Sequence, residues 1–267
     1  MMDNRRNVFF YYRSSAELNA KVESLTSLAE NYGFTTVNHA EDANIIVSIG
    51  GDGTFLQAVR KTKFRDDCLY VGISTKGSPS VYCDFVLDDT EKIIEAITME
   101  QIEVRKYPVI DVNVDGVSSF KCLNECTIRS GIIKTFVIDV HIDDIHFETF
   151  RGDGMIVSTP TGSTAYSKSV NGAVIDPLLP CFQVSELASL NNNRYRTLGS
   201  SFVLSGNRRL RLEVSGDGND YPVIGMDNEA LSIRSVNEIS ITLSSSIIKT
   251  VKLKDNSFWE KVKRSFL

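Results

Sequence analysis

The chain has 267 residues, 42% of them hydrophobic and 24% charged, with a net charge of −5, which suits a globular protein large enough for one or two cores. An acidic balance argues against general nucleic-acid binding, which needs basic surface to neutralise phosphates. No apolar run approaches the length of a membrane span, and the first residues lack the apolar stretch of a signal peptide, so a cytoplasmic protein is expected.

In chain order, Asn7 to Tyr12 reads as a buried strand, followed by Ser14-Ser15 as an N-cap. Leu18, Val22, Leu25, Leu28 and Ala29 then recur at helical spacing until Gly33 stops the pattern. Phe34 to Val37 and Ile45 to Ile49 read as strands. The second runs into Gly50-Gly51-Asp52-Gly53-Thr54, a glycine-rich turn opening a helix that ends near Lys61, with Thr54 a candidate to cap it. A helix start attracts anions. Asp52 would repel a phosphate there unless it meets a metal or takes a proton from a hydroxyl. Another strand, Cys68 to Ile73, precedes a helix from Asp88 to Met99 with Ile93, Ile94 and Ile97 on one side. Strands alternating with helices imply a parallel, Rossmann-like α/β sheet, whose ligands sit at the carboxyl ends of strands, where Asp52 lies.

From Ile102 onward the texture becomes β-rich, with runs at Val109 to Val114, Phe136 to Ile142, Met155 to Ser158, Ser201 to Leu204, Leu210 to Val214 and Ile239 to Leu243. An all-β, sandwich-like second domain follows from that pattern. The division expected is therefore 1–101 and 102–267, with the C-terminal segment, amphipathic from Phe258 to Leu267, a candidate to return to the first domain. The alternation in Arg208-Arg209-Leu210-Arg211-Leu212-Glu213 reads as a solvated strand face. Five scattered cysteines (Cys68, Cys83, Cys122, Cys126, Cys181) and three isolated histidines read as buried thiols and non-catalytic imidazoles, because no second pair at zinc spacing accompanies Cys122 and Cys126.

Gly-Asp-Gly occurs three times. Gly216-Asp217-Gly218 lies between strand-like runs and reads as a surface turn. Gly152-Asp153-Gly154 precedes a strand that runs into Thr159-Pro160-Thr161-Gly162-Ser163-Thr164-Ala165-Tyr166-Ser167, dense in hydroxyls and small residues, where a ligand could approach the backbone closely; the other reading is an elaborate N-cap. Asn124-Glu125 joins an amide to a carboxylate, a pair able to grip vicinal ribose hydroxyls or a purine edge.

Together, Gly50-Gly51-Asp52-Gly53-Thr54, Asn124-Glu125 and Thr159 to Tyr166 resemble the NAD kinase family, in that order and over nearly the whole chain. Phe147 to Gly154 and Ala188-Ser189-Leu190-Asn191-Asn192 are similar to its compact low-GC Gram-positive members. The resemblance implies an α/β domain and a β domain with NAD between them, and ATP as phosphoryl donor to the 2′-hydroxyl of the adenosine ribose. It implies Asp52 as base or orienter, and Gly53, Asn124, Glu125, Thr164, Ala165 and Tyr166 around NAD. Asp153 and Ser169 would meet the nicotinamide half. A homotetramer would bring Ala188 and Tyr195 to a neighbouring subunit's ligand. Magnesium or another divalent ion would accompany the donor phosphates, with no protein ligands assignable. No Walker-type phosphate loop is present.

One segment departs from the family pattern. Thr75 to Asp84 replaces a glycine-rich stretch ending Leu-Gly-Phe, so Val81 stands where the family's Phe contacts adenine, with Tyr82 one residue away as a substitute. A lipid or sugar kinase built on the same glycine-rich loop, or a non-catalytic NAD/NADP sensor, are the competing readings.

Overall fold

The computed structural model describes residues 6–215, 222–232 and 235–267. Its first compact unit comprises residues 1–106 and 248–267, and its second 107–247.

The first unit holds β1 (Asn7–Tyr12), α1 (Ala16–Asn31), β2 (Thr35–Thr36), β3 (Ile45–Gly50), α2 (Asp52–Lys61), β4 (Leu69–Ser74), β5 (Phe85–Val86) and α3 (Thr90–Thr98). β1 lies between β2 and β3, β3 pairs with β4, and β4 pairs with β5, every ladder parallel. The expected α/β class is therefore present. Ser15 caps α1 by accepting from the Leu18 N–H at 3.3 Å, and Gly33, at φ +76°, occupies the left-handed position where the helix stops. Val22 and Leu25 bury against Val8, Val47 and Ile73 in one apolar cluster with Ile93 and Ala96 of α3. Ile94 and Ile97 of the expected α3 stripe lie outside the described side chains.

The second unit begins within β6 (Ile102–Val114) and continues through β7 (Ser118–Cys122), β8 (Glu125–Arg129), β9 (Phe136–Ile142), β10 (Ile145–Gly152), β11 (Gly154–Ser158), the short α4 (Tyr166–Ser169), β12 (Cys181–Leu187), β13 (Phe202–Ser205), β14 (Arg209–Val214), β15 (Val223–Met226), β16 (Glu229–Ser232) and β17 (Glu238–Leu253). One antiparallel sheet runs β13-β12-β11-β8-β15-β16; a second contains β10, β9, β14 and the first part of β17. Their inner faces share a core that includes Ile128, Phe136, Phe150, Val157, Phe182 and Ile239. That is the expected two-sheet β domain. In β14, Leu210 and Leu212 are buried while Arg208 pairs with Asp143, Arg209 with Asp144 and Arg211 with Glu213, as a solvated strand face requires. The Gly216-Asp217-Gly218 turn lies outside the described residues.

β17 is far longer than the apolar run at 239 to 243. Its last part, from Ile248, belongs to the first unit, where Thr250 and Val251 pair in parallel with Tyr70 and Val71 of β4. α5 (Phe258–Phe266) follows, capped by Ser257, which accepts from the Glu260 N–H at 3.1 Å. Phe258 and Lys261 are its buried residues.

Candidate active site

In the first unit the carboxylate of Asp52 is presented at the end of β3. Gly50 allows the turn, because a Cβ there would stand 2.3 Å from Thr54 Oγ1. Thr54 is not the cap. Gly51 occupies that position without a side-chain bond, and α2 starts at Asp52, three residues earlier than a Thr54 cap would set it. The Asp52 side chain is thereby freed from capping and turns to another segment. Ser80 Oγ donates to Oδ1 at 2.6 Å, the Tyr82 N–H donates to Oδ1 at 2.8 Å and the Val81 N–H donates to Oδ2 at 3.3 Å. A carboxylate offers about four lone-pair positions. These donors occupy three of them and leave one on Oδ2 for a further hydroxyl. Gly53 lies exposed in the first turn of α2.

The departing 75–84 segment is held firmly. Tyr82 is buried and stacks on Phe55 with ring centroids 4.9 Å apart and planes 5° from parallel. Its ring is therefore core, and the expectation that it replaces the family's adenine-facing Phe is corrected by that stack. Val81 is half-buried. Behind the segment, Asp84 accepts from Lys261 at 2.5 Å, lies 3.2 Å from Lys252 Nζ and accepts the Leu253 N–H at 2.9 Å, all three side chains buried. Burial alone would raise the Asp84 carboxyl, but both ammonium groups and the backbone donor outweigh it and hold it below its ordinary value. Lys261 is pulled down to about 7 by burial first and by Lys252 second, against the attraction of Asp84.

In the second unit the structure brings two of the motifs together. Ser158 of β11 pairs with Glu125 of β8, and the chain leaving β11 folds over Asn124. The Thr159 N–H donates to the Asn124 carbonyl at 2.8 Å, and Thr159 Oγ1 donates to the Leu123 carbonyl at 2.6 Å. Gly162 packs so closely that a Cβ would stand 2.0 Å from the Asn124 carbonyl oxygen, so no other residue fits. Hydroxyls stitch the loop internally: Ser163 to the Pro160 carbonyl at 2.5 Å, Thr164 to the Thr161 carbonyl at 3.1 Å, and Ser169 to the Tyr166 carbonyl at 2.7 Å. The backbone N–H of Tyr166 favours the charged form of the Glu125 carboxyl and so lowers its pKa. Asn124, Glu125, Thr164, Ala165, Tyr166 and Ser169 are thus one constellation.

Sequence reasoning missed Asp227. In the left-handed turn between β15 and β16 (φ +50°), its carboxylate accepts the Asn124 N–H at 2.7 Å and those of Leu123 and Glu125 at 3.3 Å. Met226-Asp227-Asn228 reads as an ordinary hairpin turn, with no local signal of this long-range role. Asp227 also bears on Glu125, whose buried carboxyl rises to about 8, chiefly through desolvation and next through the charge of Asp227, against the Tyr166 N–H. Glu125 Oε2 is buried without a hydrogen-bond partner, as are Ser158 Oγ and Thr161 Oγ1. Such orphaned atoms are costly in a finished core and natural in a site completed by a ligand.

Asp153 and Ala188 form a separate group before the other end of β11, about 15 Å of strand away. The Asp153 N–H donates to the Leu187 carbonyl at 2.9 Å, and Ala188 is exposed in left-handed conformation at φ +46°. Tyr195 carries the Arg151 guanidinium over its ring at 4.4 Å. All five cysteines are buried and none forms a disulfide.

Residues 123–253 match the family described as ATP-NAD kinase C-terminal domain. The whole chain is 70% identical to NAD kinase 2 of Bacillus subtilis and 61% identical to that of Geobacillus kaustophilus, with 100% of each chain covered in both cases. The chain belongs to the NAD kinase family. Among solved structures, yeast NADH kinase complexed with NADH matches with a TM-score of 0.80 at 17% identity, over 99% of this chain and 88% of that one. An Archaeoglobus fulgidus NAD kinase in complex with ATP matches at 0.74 and 22% identity, over 96% and 98%. These matches show that the fold of the NAD kinase family is retained despite the divergent 75–84 segment.

Proposed function

We propose that this chain phosphorylates the 2′-hydroxyl of the adenosine ribose of NAD with ATP, yielding NADP and ADP. The observation that carries the reading is the Asn124-Glu125 and Thr159 to Tyr166 constellation, with an orphaned, buried carboxyl oxygen at its centre. Its Glu125, raised to about 8, keeps its proton at neutral pH and can donate one hydrogen bond while accepting another, as gripping a ribose hydroxyl or purine edge requires. Asn124, Thr164, Ala165 and Tyr166 complete that grip, with Gly53 beside Asp52, and Asp153 and Ser169 serve the nicotinamide half.

Asp52 is the group that meets the reacting hydroxyl. The ribose oxygen attacks the γ-phosphorus of ATP, its proton passes to the remaining lone pair of Asp52, and the bond to the bridging oxygen breaks as ADP leaves. Such chemistry needs positioning more than a nucleophile, which is why neither cysteine nor histidine is required. Among the described residues no three His, Cys, Asp or Glu side chains converge as a metal site. A magnesium or similar ion would accompany ATP and would there neutralise phosphate charge. We assign a homotetramer, in which Ala188 and Tyr195 serve a neighbouring subunit's ligand, and a cytoplasmic setting, which five cysteines outside any disulfide suit.

The test offers ATP and magnesium with NAD, NADH, diacylglycerol or fructose 6-phosphate separately. NADP formation is expected. Turnover of only a lipid or sugar, or binding of NAD without any turnover, would overturn the reading in favour of a different kinase or a sensor.

A further inference from the structure

One peptide unit, that joining Val81 to Tyr82, lies between the Asp52 carboxylate and the buried Lys252, Lys261 and Asp84. Its N–H donates to Asp52 Oδ1 at 2.8 Å. Its carbonyl oxygen accepts from both ammonium groups, Lys261 Nζ at 3.2 Å and Lys252 Nζ at 3.3 Å. Lys252 also donates to the next carbonyl, that of Tyr82, at 2.5 Å. Because an amide is conjugated, a cation on its oxygen strengthens its N–H as a donor, so the hydrogen bonds on the two sides reinforce each other.

We propose that Lys252 and Lys261 are positioning residues for Asp52, fixing and polarising the Val81–Tyr82 peptide whose N–H orients that carboxylate. The proposal rests on the assignment of Asp52 as the group that meets the ribose hydroxyl.

Charge balance separates this role from simple core packing. Asp84 needs one ammonium for neutrality, yet two lie within 3.2 Å of it, each side chain at most 1% exposed. A second buried cation is costly unless another anion answers it. Asp52 supplies that anion on the far side of the peptide, so that with both lysines protonated two cations face two carboxylates across one amide. Rigidity follows from the stack of Tyr82 on Phe55, which lies three residues after Asp52 on α2, so that the donor and the acceptor are tied to the same helix. Lys261 belongs to α5, 180 residues beyond Val81 in sequence, so the last helix of the chain bears on the reacting group.

The experiment measures kcat and the KM for NAD in wild type, Asp52→Asn, Lys261→Met, their double variant, and Asp84→Asn/Lys261→Met, with melting curves beside each. Lys261→Met is expected to lower kcat about 10-fold while the KM for NAD changes less than about twofold. In the Asp52→Asn background the same change is expected to cost nothing further, because the group it acts through is already neutral. Losses that multiply in the double variant, or a folded Lys261→Met with wild-type kcat, would overturn the proposal. Asp84→Asn/Lys261→Met removes an anion and a cation together and strands no charge, so it carries the test where the single variant is too unstable. It too should lose kcat, and a wild-type value there is equally fatal. Wild type without NADP production, or Asp52→Asn with near-normal turnover, would instead refute the site assignment itself.

Discussion

Asp84 and Glu125 are both nearly inaccessible carboxyl groups, one in each unit, and they are treated in opposite ways. Asp84 faces two ammonium groups and a backbone N–H, which hold it below its ordinary value. Glu125 faces the carboxylate of Asp227 and one backbone N–H, keeps an orphaned oxygen, and rises to about 8. Burial raises both; what differs is whether the fold supplies the compensating charge. A buried carboxyl answered within the protein holds segments together, and one left unanswered is chemically suited to a ligand. Asp52 stands between these cases, with three donors from its own unit and one lone pair open.

The largest effect is expected from Asp84→Ala, which leaves Lys252 and Lys261 without their carboxylate. Breaking a buried pair costs about 3–5 kcal/mol. Denaturant titration should show at least that loss, and a variant of near-normal stability would place Asp84 with surface pairs instead. Asp52→Asn should lower turnover about 100- to 10,000-fold while the melting temperature moves little, since no cap is lost. A markedly less stable variant with near-normal turnover would make Asp52 a structural residue like Asp84.

Glu125→Gln sharpens the comparison through its sign. The unfolded carboxyl ionises near 4.5 and the folded one near 8, so in that window the native state binds more protons and stability falls as pH rises. An amide escapes this loss. The variant should be more stable than wild type by something on the order of 2 kcal/mol at pH 8, with little gain at pH 4, while its KM for NAD rises. Equal gains at both pH values would mean that Glu125 is not the unanswered carboxyl described above. The smallest effect belongs to Asp227→Asn, whose amide oxygen still accepts the Asn124 and Glu125 N–H groups while its NH2 replaces the oxygen that accepted from Leu123, at a cost of about 1 kcal/mol. Removing its charge should lower the Glu125 pKa and flatten the pH dependence of stability, which melting curves across pH 4 to 9 would reveal.

By itself the sequence determined what short-range physics controls. Apolar periodicity located β1, α1, β3, α2 and β9 almost to the residue, Ser15 and Gly33 marked the ends of α1, and three motifs marked the family. Even there, the start of α2 moved to Asp52 because glycine can cap without a side chain. What only the tertiary structure decided depends on partners far away in the chain. Asp227, which no sequence pattern singled out, holds Asn124-Glu125 from about 100 residues away. Tyr82 looked available for a ligand and is stacked into the core. Lys252, in the apolar run Val251 to Leu253, and Lys261, in a charged helix, gave no sign that they meet at Asp84, because pairing and desolvation are set by the long-range packing of β17 and α5 and not by any local pattern.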